Sequence, residues 1–345
     1  MNRHVGATGS QPTAVQAAHE FLLDEGSAVG AVLAGFFADA GMRAGVLLGP
    51  LIVIIAGVGT GVRVFDGRLR QPGLGTKRPR GFTDRAAIPL AARVAAPHAT
   101  AAAVVAHAYD RTGSFAEVVK RGVRVARDTG AEARAQVLLG VQSQGARFLS
   151  SPQASRSLMH VAGVSEEGLL TQADLTAVAD LDMMARPHPA LPGWSEVPWA
   201  VADERSLDTE PSATLASLGS NEAVLLRQNT YDAAGTTMIL CAVDARGLFA
   251  GAIYQCAQDG VVFEELGLVA PMSAVPVLRG VPRLAPGSCL PAPVALAIQT
   301  DRGAPLCIVG DSTANHITPA IVNAPEFRIQ RPTESRVVTV TERAH

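Results

Sequence analysis

Two apolar runs joined by a short polar turn constrain this chain more than any other feature. Gly235 to Asp244 reads GTTMILCAVD, and Leu248 to Gln255 reads LFAGAIYQ, with Asp-Ala-Arg-Gly closing the first run. Apolar segments of this length bounded by turn residues read as buried strands. Asp bonds readily to nearby backbone and Gly supplies a positive φ, so the join suits a tight reversal. The segment is expected to form a strand hairpin. The Thr236-Thr237 pair at its head is in itself unremarkable, because threonine favours strands.

The rest of the chain provides a core for such a hairpin. It has 345 residues, 48% of them apolar, which suffices for one large domain or two ordinary ones. Charged residues are only 17% and net charge is -2, which argues against nucleic acid or a polybasic membrane anchor as partner. The four cysteines, Cys241, Cys256, Cys289 and Cys307, include no CxxC and read as small core residues rather than a disulfide set. The start of the chain lacks the apolar centre of a signal peptide. Val46 to Val58 is apolar but short of the roughly twenty residues of a membrane span, and it contains Gly49 and Pro50. A soluble cytoplasmic protein is expected.

Helices are expected early and strands late. Val15, Ala18, Phe21 and Leu22, then Val29, Val32, Leu33 and Phe36, recur at helical spacing, broken at Gly26-Ser27 with Ser27 as a cap. Val46 to Ala56 and Val62 to Phe65 read as strands, and Asp66-Gly67 as a turn signal. His98 to Tyr109 reads as a helix. Ser114 to Glu117 reads as a capping box opening a helix that runs to Gly130, and Thr171 to Asp174 as a weaker one. Met183 to Ala213, rich in proline, reads as a linker. Strands are expected at 223–227, 236–243, 248–255, 261–264, 294–299, 306–309 and 337–341. This order favours an α+β class.

Other motifs are weak. Gly57, Gly59 and Gly61 precede a strand-like VRVFDG rather than a helix, so no helix N-terminus is offered to a phosphate. The eight histidines form neither an HExxH nor a zinc spacing, and no metal or organic cofactor is called for. No G-x-S-x-G is present.

Seven segments, in order, resemble the γ-glutamyltransferase family of N-terminal nucleophile hydrolases. LLDEGSAVGAVLAG resembles its ILxxGGNAVDAAVA helix, and VFDGRLRQP its DGRExAP turn. APHATAAAVVAHAYDRTGSFAEVV and GLLTQADLTAV resemble the PGTVAGLxxAHxxYG and GGxLTxxDLAxY segments. GTTMILCAVDARGLFAGAIYQ is similar to the TTHxxVVDxxGNAV hairpin that begins the small subunit; GSCLPAPVALAI and VGDSTANHITPAIVNAPEF are similar to SSMSPTIVL and to the GSPGGxxI and DAPRF elements.

The resemblance implies a four-layer αββα sandwich. Residues 1–235 would correspond to the large subunit and 236–345 to the small one, together one domain. It implies self-cleavage at Gly235–Thr236, with Thr236 as nucleophile. A hydroxyl needs a base. Once the chain is cut, Thr236 would own an α-amine with a reference pKa of about 7.7–8.0. The backbone N–H groups of Thr313 and Ala314 would hold the oxyanion. Arg68, Gln255, Gly287 and Ser288 would bind substrate, Arg68 by clamping a carboxylate.

Departures from the pattern narrow the substrate. Met238 replaces a histidine, Ser273 stands near the acidic residue that holds a γ-glutamyl ammonium, Gly30 replaces an Asp, and much of the middle segment between Asp182 and Glu222 is missing. They point to a small-molecule amide or γ-glutamyl-like substrate other than glutathione. The alternative they leave is an uncleaved, non-catalytic homologue that binds a small ligand or partner. A lyase using Thr236 is a third expectation. The apolar surplus allows for an oligomer interface.

Overall fold

Strand β2, Leu51–Ala56, is buried at every position. Such a strand needs cover on both faces of its sheet, and the architecture supplies it. The computed structural model describes residues 5–24, 26–59, 61–76, 81–110, 112–177, 180–199, 235–278, 283–314, 316–330 and 339–342. The first antiparallel sheet runs in the order β1 (Gly6–Gly9), β7 (Gly235–Val243), β8 (Phe249–Ala257), β2, β3 (Val62–Gly67), β4 (Asp182–Met184). The second runs β14 (Thr339–Glu342), β13 (Phe327–Gln330), β12 (Ala304–Gly310), β11 (Leu296–Asp301), β6 (Trp194–Glu196), β5 (Arg186–Pro187). A separate pair joins β9 (Val261–Phe263) to β10 (Leu268–Ala270). Strands from before and after Gly235 therefore share each sheet.

The two faces of the first sheet belong to different cores. Leu51, Val53, Leu240 and Tyr254 pack under helices with Phe36 and Leu33. Ile52, Ile54, Ile239 and Ile253 pack against Leu296, Ile298 and Ile308 of the second sheet. Gly251 lets the sheets approach, since a Cβ there would lie 2.5 Å from Ile308 Cδ1.

Helices α1 (Pro12–Asp24), α2 (Ala28–Met42), α3 (Ala99–Asp110), α4 (Phe115–Asp128), α5 (Glu132–Gln144), α6 (Pro152–Ala162) and α7 (Gln172–Thr176) precede β4. Ser27 caps α2 as expected, accepting from Gly30 N at 3.0 Å. Residues Ala28 to Gly41 are buried on every side, as suits a helix apolar all round. It crosses α4 closely: a Cβ on Gly122 would lie 2.3 Å from Phe37 O. A Gly122→Leu variant should therefore wedge the two helices apart and lose roughly 3 kcal/mol. Urea unfolding should show a lower midpoint with little change in slope.

Among the described residues, the second sheet's outer face is thinly covered. There α8 (Pro319–Asn323) and side chains such as Leu191 and Ile317 pack on Ala297, Cys307 and Val309. The chain is thus mixed α+β with two facing antiparallel sheets, and among the described residues the expected fourth layer is slight.

Three expectations are corrected. The proline-rich stretch from Met183 is no linker in its described part, because β6 pairs with β11 inside the second sheet. Asp66-Gly67 ends β3 rather than forming a turn. At α4 Ser114 accepts from Glu117 N, but the Glu117 carboxylate turns to exposed Lys120 instead of reaching back. The weaker signature is the full box, with Thr171 and Asp174 capping each other. The strand expected at 223–227 lies outside the described residues.

Candidate active site at the end of the sheet sandwich

The β7–β8 hairpin forms as the sequence predicts. Thr237 lies opposite Gln255, and Asp244 N bonds to Leu248 O at 3.1 Å across the turn, where Gly247 has φ +85. Thr236, at the open end, is exposed, and its Oγ accepts from Gln258 Nε2. Gln255 is half-buried, and its N–H reaches Pro50 O at 3.4 Å just before β2.

Arg68 follows β3 and is buried. Its Nε and Nη2 donate to the two oxygens of Asp66 at 2.9 and 2.8 Å, and its guanidinium lies 3.6 Å over the Trp199 ring. Arg70 Nη2 adds a third bond to Asp66 at 3.3 Å. Burial alone would raise the Asp66 pKa, but the Arg68 and Arg70 cations hold the carboxyl below its ordinary value. The fork expected to grip a substrate carboxylate is thus already engaged by a carboxylate of the chain.

Gly287 and Ser288 are brought beside this pair. Gly287 N donates to Gln71 O at 2.7 Å, and Gln71 N to Ser288 O at 2.8 Å. The turn needs the positive φ of Gly287, +84. The Gln71 amide clamps Val275 through both its backbone groups at 2.9 Å. Asp174, from the capping box, accepts from Gly73 N and Leu74 N at 2.9 and 3.0 Å. The motif read as a helix start therefore also fixes the loop that follows Arg68. His98 lies buried here; burial, with Arg70 nearby, lowers its pKa to about 4.

The loop after β12 supplies the last elements. Gly310 packs on Ile239, and Asp311 follows. Asp311 Oδ1 accepts from Thr313 N, Thr313 Oγ and Ala314 N at 3.0, 2.7 and 3.1 Å. Both backbone donors expected to form an oxyanion hole therefore point at this carboxylate. Ser312 N and Oγ bond to buried Glu326 at 2.6 and 2.7 Å.

The structure thus gathers Arg68, Gly287 and Ser288 at one pair of segments, and Gln255 and the threonine pair at the paired ends of β8 and β7, with β2 between β8 and the strand that Arg68 follows. Among the described residues, no hydrogen bond links Thr236 to the other expected site residues. Asp66, Asp311 and Trp199 were not anticipated. The Asp-Ser-Thr sequence at 311–313 did carry an Asx-turn signal.

No protein-family model and no curated protein sequence matches the chain. Solved structures do. Cephalosporin acylase from Bacillus halodurans aligns with a TM-score of 0.61 at 14% identity, covering 88% of this chain and 76% of that one. LmbA2991HD aligns at 0.57 and 16%, covering 89% and 78%. The γ-glutamyltranspeptidase of Helicobacter pylori aligns less closely, at 0.46 and 14%, covering 66% and 84%. The likeness to the acylase bears out, at the level of the fold, the relationship read from the motifs. No helix among the described residues is long and apolar enough to cross a membrane.

Proposed function

We propose that this chain, built on the fold of the N-terminal nucleophile hydrolases, is a γ-glutamyltransferase-like amide hydrolase or acyltransferase that activates itself by cleavage at the Thr236-Thr237 pair. The observation that carries the reading is a pair of hydroxyls at the open end of β7, at the same end of the first sheet as Arg68, with β8 and β2 between them. Cleavage would convert a backbone amide into an amine, able to act as base at neutral pH. The threonine Oγ would attack an amide donor, release its amine, and pass the acyl group to water or to another amine. The donor would be a small amide, γ-glutamyl-like in shape but without an ammonium held by an acid, since Ser273 stands where that acid is expected.

A second reading, an uncleaved homologue that binds a ligand without chemistry, is favoured by two specific contacts. Asp311 occupies both expected oxyanion donors, and Asp66 occupies the Arg68 fork. The readings separate on a denaturing gel of freshly purified full-length protein. Two fragments divided at the threonine pair are expected. A single chain after prolonged incubation at neutral pH would favour the non-catalytic reading.

A further inference from the structure

The paired threonines are not equivalent, because successive residues of a strand face opposite sides of its sheet. On β7 the packing fixes the alternation. Met238, Leu240 and Ala242 lie under the helices, whereas Ile239, Cys241 and Val243 lie between the sheets. Extended to the head of the strand, this order assigns Thr237 to the inter-sheet face and Thr236 to the helix face. Burial agrees, with Thr236 exposed and Thr237 half-buried. The Thr236 hydroxyl is also taken by Gln258, beyond the end of β8.

The other expected site groups belong to the Thr237 side. Gln255 is its cross-strand partner and shares its face. Ile239, Ile253, Ile52 and Asp66 form one row across the sheet. Two residues further along stand Thr237, Gln255 and, past the end of β3, Arg68. The Arg68 guanidinium lies over Trp199, a member of the inter-sheet core. From the opposite sheet, a Cβ on Gly310 would lie 2.8 Å from Ile239 Cγ2. The Asp311 loop therefore leaves β12 opposite Ile239, which stands one two-residue strand step along β7 from Thr237.

We infer that Thr237, not Thr236, is the nucleophile, and that the bond cut is Thr236–Thr237. The inference rests on the self-cleaving reading above. Thr237 Oγ adds to the Thr236 carbonyl carbon, the C–N bond breaks, and the hydroxyl proton passes to the nitrogen, leaving an ester and an amine. Water then adds to the ester carbonyl and the C–O bond breaks. Thr236 becomes a terminal carboxylate, and Thr237 regains its hydroxyl beside its own free amine.

Intact mass and N-terminal sequencing of the expressed full chain test this. The expected small fragment is 237–345 from both the unaltered chain and Thr236→Ala. Thr237→Ala should stay whole, and Thr237→Ser should cleave, which controls for folding. A fragment beginning at Thr236, or persistent cleavage in Thr237→Ala, would overturn the inference while leaving self-cleavage standing. An unaltered chain that stays whole would overturn both.

Discussion

Replacing Asp66 with asparagine is expected to cost about 3–5 kcal/mol of stability, the range for breaking a buried ion pair from one side. Asp66 is 1% exposed, and its partners Arg68 and Arg70 are 7% and 13% exposed. The amide would keep the shape but leave two poorly hydrated cations facing a neutral group. The Arg63–Asp182 pair, at 24% and 32% exposed, is a built-in contrast. Asp182→Asn should cost under about 1 kcal/mol. Urea unfolding of the two variants at pH 7 measures the difference, and equal losses would refute the role given to Asp66. The pH dependence has a definite sign. The folded-state pKa of Asp66 is depressed. Its contribution is complete above the unfolded value of about 3.9, and is lost as pH falls through the lower folded value.

His98 should make the protein acid-sensitive at milder pH. Folded, it is buried with a pKa of about 4, against an ordinary value of 6.5. Burial is the main cause and Arg70 adds to it, while Asp66 and Asp174 act in the opposite direction. The unfolded chain takes up a proton below pH 6.5 and the folded chain does not until near pH 4. Stability from this residue is therefore complete above 6.5 and falls by roughly 3 kcal/mol on the way to 4. Comparison of the unaltered protein with His98→Gln isolates the term. The gap between their unfolding free energies should change by about that amount between pH 7 and pH 4. A constant gap would show that His98 is not held neutral.

These predictions centre on a cluster that the sequence showed only in part. The paired helices with Ser27 between them were legible because apolar spacing and a cap residue agreed. The β7–β8 hairpin was legible for the same reason, two apolar runs around Asp244 and Gly247. Strand β6 was hidden. It has three residues, Trp194 to Glu196, in a proline-rich stretch, and only pairing with β11 makes it a strand. Strand β1 was hidden too, since Gly6 to Gly9 carries almost no side chain with strand preference. Motif order pointed to Arg68, but not to its bidentate partner two residues earlier. The roles of Thr313 and Ala314 were read from position alone, and the Asp311 side chain that claims both donors depends on a local turn. The alternation that separates Thr236 from Thr237 was present in TTMILCAV all along. It became usable once the two cores were assigned to opposite faces.

The account stands on a threonine hydroxyl at the head of β7 that accepts an acyl group. The most direct measurement is the mass of the purified protein after brief incubation with an activated acyl ester at neutral pH. The account predicts a gain equal to one acyl group, carried by the N-terminal threonine of the small fragment and absent from Thr237→Ala. A protein that takes up no acyl group, or takes it up equally without that hydroxyl, would contradict it.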